Sequence, residues 1–306
     1  MGRRRIALLA ACLAALALAA AGCSGADGAG GGEGGRLRVV ATTTQVADLA
    51  ANVGGDRVQV TSLLKPGVDA HDYEPSPADL DAIARADVVL ENGVGLEEWL
   101  GDTIESSGFD GPVVETSQGV RLRQVDGEPD PHIWQNPRNA RQMAVNIERG
   151  LATADPAAAA AFAASLAAYT RQLDALDAEV ERQIDSLASR KIVTNHDAFG
   201  YYLDRYGLEL VGSVIPSFDS SAELSGRDIR DLVARIKASG ARAVFSETSL
   251  PPRTAETIGR EAGVKVVTGE DALYGDSLGP PGSDGDTYLK MIRHNTRTIV
   301  SNLRGS

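Results

Sequence analysis

Cysteine, histidine and tryptophan are scarce in this chain of 306 amino acids, with two, four and two copies respectively. Cys12 lies inside an N-terminal apolar run that we expect to be removed, which leaves Cys23 alone. A single cysteine excludes an intramolecular disulfide and a metal site built from thiolates. Two tryptophans offer few stacking surfaces, which argues against a receptor for organic solutes.

Basic residues are also few, with 30 Lys and Arg against 42 Asp and Glu and a net charge of −12. Loss of the three arginines at positions 3–5 would leave 27 basic residues and a net charge of −15. This balance argues against nucleic acid or an anionic membrane surface as the partner. The glycine cluster at 28–35 precedes every predicted strand, so it does not predict a phosphate-binding loop.

The N-terminus has the pattern of a targeting segment. Three arginines precede an apolar run at 6–21, which is shorter than the ~20 residues of a spanning helix. Small residues lead directly into Cys23, as is typical of a bacterial lipoprotein signal. We therefore predict a signal peptide at 1–22, a lipid on Cys23, a flexible tether at 23–35 and anchoring to the outer face of the cytoplasmic membrane. Ala20 stands where such signals usually have leucine, and an ordinary secretory signal is the alternative.

Short β-rich runs alternate with helical stretches on both sides of the chain's middle. The strand candidates are residues 37–42, 58–64, 88–90, 191–194, 208–211, 243–245 and 264–267, and the helix candidates include 45–53, a helix opening at Pro77, and 228–239. Such alternation predicts α/β domains with largely parallel sheets. We expect an N-terminal domain at 36–150 and a C-terminal domain at 190–306.

One long amphipathic helix is predicted between the two domains, within residues 151–189. Asp155-Pro156 opens a stretch that contains no glycine and no further proline up to Ser189. Its larger apolar residues recur every three or four positions: Phe162, Leu166, Tyr169, Leu173, Leu176, Val180, Ile184 and Leu187. This spacing predicts a helix of ~30 residues, about 45–50 Å long. We interpret it as a rigid strut packed along both domains of a monomer; a coiled-coil dimerisation arm is the alternative.

Three histidines occur in short acidic contexts in distant parts of the chain. His71 follows Asp69, His132 follows Asp130-Pro131, and His196 precedes Asp197. Each lies at a predicted turn or strand end, and ligands of open α/β sheets gather beyond the carboxyl ends of strands. Imidazole and carboxylate donors suit zinc-like divalent ions. We therefore predict one divalent-ion site formed by the three histidines.

The fourth histidine, His294, belongs to the predicted C-terminal helix. The apolar face of that helix runs through Leu289, Ile292, Thr296, Ile299 and Leu303. His294 falls off this face, so we predict that it is exposed and takes no part in the site.

Four motifs resemble those of the zinc- and manganese-binding solute receptors of ABC importers. They are GVDAHDYEPSP at 67–77, DPHIW at 130–134, NHDAFGYY at 195–202 and YGDSLG at 274–279. They occur in the family's order, and the resemblance covers the chain from the first strand to the terminal helix. It implies two α/β domains joined by one long rigid helix, with the metal in the interdomain cleft. It also implies capture of an ion for a membrane permease and its ATPase, without chemistry on the ion.

Carried over by motif, the metal ligands are His71, His132, His196 and Asp276, the last resting on the resemblance alone. The family's third ligand is commonly histidine in zinc-type members and glutamate in manganese-type members. His196 therefore favours Zn²⁺, with Mn²⁺ or Fe²⁺ as alternatives. Two departures are Ala70, where proline is usual, and the lack of a histidine-rich insertion before His132, where only DGEP stands at 126–129.

Two other classes of function remain open at this point. A secreted zinc hydrolase could use His71, His132 and His196 with an open fourth position and Glu74 or Glu247 as the base, although no His-Glu-x-x-His helix is present. An adhesion lipoprotein could hold a merely structural metal. Glu247, at the end of a predicted strand, is either a hydrogen-bond partner of a ligand imidazole or a solvated loop carboxylate.

Overall fold

The computed structural model describes residues 35–222 and 224–304. The predicted signal peptide, the lipidation site Cys23 and the tether before Gly35 lie outside the described residues. Within the described ranges, no helix combines the length and hydropathy needed to cross a membrane.

The N-terminal domain is an α/β unit. Its strands are β1 (Leu37–Ala41), β2 (Val58–Ser62), β3 (Val88–Glu91) and β4 (Val113–Glu115), and its connecting helices are α1 (Thr44–Gly54), α2 (Pro77–Ala84) and α3 (Leu100–Ser107). They form a parallel sheet in the order β2-β1-β3-β4. The central strands are buried valine-rich runs, as expected for a parallel sheet covered on both faces. A short antiparallel pair follows, β5 (Gln124–Val125) and β6 (Glu128–Pro129).

Two long helices lie in sequence between the strands of the N-terminal domain and those of the C-terminal domain. Helix α4 (Pro137–Ala154), which was not predicted, begins where the Asn136 side chain caps the backbone N–H of Arg138. Residues Pro156–Ala158 form a 3₁₀ turn capped by Asp155, and helix α5 then runs over Ala159–Asp185. With 27 residues it is about 40 Å long, somewhat shorter than predicted.

The C-terminal domain repeats the α/β pattern. It contains β7 (Lys191–His196), α6 (Gly200–Tyr206), β8 (Glu209–Ile215), α7 (Gly226–Ser239), β9 (Ala243–Phe245), α8 (Arg253–Ala262), β10 (Lys265–Val267) and α9 (Tyr288–Leu303). Its parallel sheet has the order β10-β9-β7-β8. Two parallel α/β domains confirm the predicted fold class.

The apolar face of α5 is buried inside the chain. Phe162, Leu173 and Ile184 lie in one hydrophobic cluster with residues of both sheets. Asp177 on α5 accepts hydrogen bonds from Arg138 of α4 and from Arg205 of α6. The apolar face of α5 therefore packs within the chain, as the interpretation as a strut predicts.

Strand β7 extends further than predicted. Thr194 pairs with Ser213 and His196 pairs with Ile215, so the ladder continues two residues beyond the predicted end. His196 is therefore the last residue of β7, two residues beyond the end of the predicted strand at 191–194. Its place in the hydrogen-bonded ladder fixes its backbone at the carboxyl end of the sheet.

Candidate metal centre

His71, His132, His196 and Asp276 come together at one point between the two domains. One donor atom from each lies within 4.8 Å of all the others. His132 Nε2 is 3.1 Å from His71 Nε2 and 3.4 Å from His196 Nε2. The Asp276 oxygens lie 3.5 Å from His132 Nε2 and from His196 Nε2.

His71 is delivered by the loop after β2. Its backbone N–H donates to Asp69 Oδ1 at 3.0 Å, and the other oxygen of Asp69 accepts a hydrogen bond from the Ser220 hydroxyl of the C-terminal domain. Gly67, with φ of +78°, turns the start of this loop and donates its N–H to Ser277 Oγ. Ala70 is buried, with 2% of its surface exposed. Both sides of the His71 loop are thus attached to the opposite domain.

His132 is oriented by the carboxylate that precedes it. Asp130 Oδ1 accepts hydrogen bonds from both the backbone N–H and the Nδ1–H of His132, at 3.0 and 2.8 Å. Because the proton is on Nδ1, the lone pair of His132 Nε2 is free, and it faces His71, His196 and Asp276. Both residues are fully buried.

His196 has the same arrangement with a partner from a different strand end. Glu247 Oε1 lies 2.8 Å from His196 Nδ1 and also accepts the backbone N–H of His196 at 3.0 Å. Glu247 is 3% exposed, so its interpretation as a solvated loop carboxylate is wrong. It fixes the His196 ring with Nε2 toward the cluster.

Asp276 lies in a loop that is tied to the N-terminal domain. The carbonyl of the preceding Gly275 accepts hydrogen bonds from the side chains of Gln45, Trp134 and Gln135. Both oxygens of Asp276 are buried, and neither accepts a hydrogen bond within the described part of the chain. A buried carboxylate without donors requires a positive charge beside it.

The electrostatics of the cluster follow from burial and from its carboxylates. Burial would raise the pKa of Asp276, but the neighbouring imidazoles, His196 foremost, hold that pKa well below its usual range. Burial would lower the pKa of His196, but the carboxylates of Glu247 and Asp276 outweigh it and hold that pKa well above its usual value. Burial lowers the pKa of His71. Asp276 is therefore ionised in the folded protein, and the site is strongly favourable for positive charge.

A cavity of about 390 Å³ opens beside His71. Its wall includes Glu98, Glu128 and Asp219, together with Trp99 and further apolar side chains. Because His71 is half-buried while the other three site residues are buried, the cluster is reached from this side.

His294 lies apart from the cluster, but the prediction that it is exposed is wrong. Only 3% of its surface is exposed, and its Nε2 lies 2.9 Å from the carbonyl oxygen of Ala272. Its ring packs edge-on against Tyr274. The loop before α9 folds over this side of the helix and buries the histidine.

Comparison with known proteins agrees with this geometry. The family model described as "Zinc-uptake complex component A periplasmic" (ZnuA) matches residues 39–302. The manganese-binding lipoprotein MntA of Halalkalibacterium halodurans is 34% identical over 272 residues, which cover 87% of this chain and 88% of that protein. The zinc-binding protein TroA of Treponema pallidum is 33% identical over 273 residues, with the same shares of each. A solved structure of TroA from Treponema pallidum has a TM-score of 0.82 at 31% identity and covers 89% of this chain and 100% of that one. The chain therefore belongs to the ZnuA family of metal-binding receptors of ABC importers.

Proposed function

We propose that this protein captures a divalent metal ion with His71, His132, His196 and Asp276 and delivers it to the permease and ATPase of an ABC importer. The observation that carries the proposal is the buried Asp276 carboxylate. It faces the Nε2 atoms of His132 and His196, and among the described residues it accepts no hydrogen bond.

The charge balance supports an ion of charge +2. Asp130, Glu247 and Asp276 are buried beside the imidazoles, each 3% exposed or less. Asp130 lies beside Arg123, whereas Glu247 and Asp276 have no Lys or Arg partner among the described residues and are the two carboxylates that the ion would balance. Buried charges without partners are costly, so a dication at this point stabilises the closed protein.

We propose Zn²⁺ as the ion, ahead of Mn²⁺ or Fe²⁺. Zn²⁺ bonds of about 2.0–2.1 Å in a tetrahedron place the donor atoms about 3.3–3.4 Å apart. Four of the six separations between the donors, 3.1 to 3.5 Å, are close to that value, and all the donors lie within 4.8 Å of one another. Three imidazole nitrogens also favour zinc over manganese by the affinity order of divalent metals.

Calorimetric titration of chelator-stripped protein tests the proposal. We expect one Zn²⁺ per chain, bound more tightly than Mn²⁺. Asp276→Asn keeps the shape of the side chain and removes its charge, so it should weaken binding by at least about ten-fold. Asp102→Asn changes an exposed aspartate of α3 and should leave the affinity unchanged. Tighter binding of Mn²⁺ than Zn²⁺ would refute the zinc assignment, and no binding of either ion would refute the function.

We propose that the site carries the ion and does not catalyse. Asp276 provides a fourth ligand, whereas a catalytic zinc keeps one position for water. Of the two bases nominated for a hydrolase, Glu247 is engaged by His196 and Glu74 is exposed. Asp276→Ala separates the two functions: loss of metal affinity supports carriage, and a gain of hydrolytic activity with metal retained supports an enzyme.

We further propose that the chain is a monomer with domains at 36–150 and 190–306, held at the outer face of the cytoplasmic membrane by a lipid on Cys23. Cys23→Ala should move the protein from the membrane fraction to the soluble extracytoplasmic fraction. Retention of the variant in the membrane fraction would contradict lipid anchoring through this cysteine.

A further inference from the structure

Arg123 joins the two domains beside the metal cluster. It precedes strand β5 of the N-terminal domain, and 21% of its side-chain surface is exposed. Its Nη1 donates to Asp130 Oδ2 at 3.1 Å within its own domain. Across the cleft, it lies 3.3 Å from Asp204 and 3.9 Å from Asp197 of the C-terminal domain. One guanidinium group therefore faces three carboxylates.

Tyr201 of the C-terminal domain contributes to the same interdomain contact by bonding to backbone groups of the N-terminal domain. Its hydroxyl accepts the backbone N–H of Arg123 at 3.0 Å and donates to the carbonyl of Asp130 at 2.9 Å. The guanidinium also lies against Gly200, the first residue of α6. A Cβ at Gly200 would stand only 2.3 Å from Arg123 Nη1, so this position has to be glycine for the guanidinium to remain in place.

Both ends of the junction are attached to proposed metal ligands. Asp130 uses one oxygen for Arg123 and the other for the Nδ1–H of His132. Asp197 directly follows His196. A displacement of Arg123 is therefore transmitted to two of the ligands, one in each domain.

We propose that Arg123, Tyr201, Asp130, Asp197 and Asp204 form a clamp that holds the two domains closed on the bound divalent ion and slows its release. This inference rests on the proposed function. The positive charge of Arg123 by itself would repel a bound metal cation. Arg123 therefore contributes by holding Asp130 and Asp197 in place. The clamp holds other residues in position, and its loss should raise the dissociation rate of the metal ion.

Two substitutions break the clamp without changing any charge. Gly200→Ala displaces the flexible guanidinium, because the new Cβ would stand 2.3 Å from Arg123 Nη1. Tyr201→Phe removes both hydrogen bonds of the hydroxyl. Each has a matched control: Gly101→Ala lies in α3 with open space around the new Cβ, and Tyr202→Phe removes a hydroxyl that pairs with Thr296, away from the clamp.

The experiment is stopped-flow release of Zn²⁺ from the loaded protein into excess chelator, together with thermal unfolding of the metal-free protein. We expect Zn²⁺ release to be about ten-fold faster in both clamp variants. A factor of about ten is the lower end of the loss of metal affinity that follows when a residue that holds a metal ligand in place is removed. The control variants should release at the wild-type rate. The metal-free clamp variants should still unfold in one cooperative transition, which separates faster release from loss of the fold.

Wild-type release rates in both clamp variants would overturn the inference, as would equal acceleration in the controls. Wild-type protein that binds no metal would instead overturn the proposed function, so the two failures are distinguishable.

Discussion

Gly275 is the position where a single methyl group should disturb metal binding most directly. A Cβ at this residue would stand 2.0 Å from Glu247 Oε2, and real contacts of that kind do not fall below 3.0 Å. In Gly275→Ala the carboxylate must therefore move by about 1 Å or the Asp276 loop must shift. Glu247 is 3% exposed and packed, so either response alters the site.

The size of the effect follows from the hydrogen bond that is lost. Glu247 Oε1 lies 2.8 Å from His196 Nδ1, and a displacement of about 1 Å takes this pair beyond hydrogen-bonding distance. Loss of such a partner lowers metal affinity by about 10- to 100-fold. That range corresponds to about 1.4–2.7 kcal/mol of binding free energy.

Competition with a chromogenic chelator measures the affinity, and a double-mutant cycle identifies the cause. Glu247→Gln alone should weaken binding to a similar extent because the charge on the partner of His196 is lost. If Gly275→Ala acts through Glu247, the double variant should bind no more weakly than the weaker single variant. Unchanged affinity in Gly275→Ala, or fully additive losses in the double variant, would refute this reasoning.

Three further predictions concern stability. Asp177→Asn should lower the free energy of unfolding by about 3 kcal/mol, measured in urea, because Arg205 loses its buried partner on α5. Trp134→Phe removes the donor to the Gly275 carbonyl and should cost about 1–2 kcal/mol in the same assay. Burial raises the pKa of Asp48 from its ordinary 3.8 to about 6, so the folded state holds this proton more tightly than the unfolded state. The stability that this proton provides is present below about pH 4 and is lost as the pH rises through about 6, a difference of about 3 kcal/mol. Burial also raises the pKa of Glu97, to about 7, so Asp48→Asn should still lose stability as the pH rises. In urea unfolding of the metal-free proteins at both ends of this range, the decline should be smaller in Asp48→Asn than in the wild type by about the contribution of Asp48.

The α/β class could be predicted because its signals are local. Buried strands of parallel sheets are continuous valine-rich runs, and each is separated from the next by helical periodicity. Strands β5 and β6 were missed because a pairing of two residues carries no period. Strand β4 was missed because its three residues, unlike those of β9, are exposed or half-buried and do not form an apolar run. Helix α4 was missed although Asn136-Pro137 is a helix-start signal.

Local sequence patterns could predict only part of the site. His71, His132 and His196 could be chosen because each is flanked by acidic residues at a turn or strand end. Asp276 could not, since the contacts that place it are distant in sequence. The Gly275 carbonyl bonds to Gln45, which is 230 positions away.

The His294 prediction failed for a related reason. A helical period shows which residues share a face, but not which loop covers another face. The carbonyl of Ala272 and the ring of Tyr274 lie against His294, and their position depends on the tertiary course of the loop.

Under the proposed function, metal binding and domain closure are coupled, because Asp130 contacts both Arg123 and His132. Removing the ion from the closed site would leave Glu247 and Asp276 buried beside each other with only imidazoles to balance them. The ion therefore stabilises the closed form by the difference between its affinities for the closed and the open protein. Under the proposed function, a permease that separates Arg123 from Asp197 and Asp204 would need no contact with the ion. Opening alone would admit water to Glu247 and Asp276 and so lower the affinity for the ion.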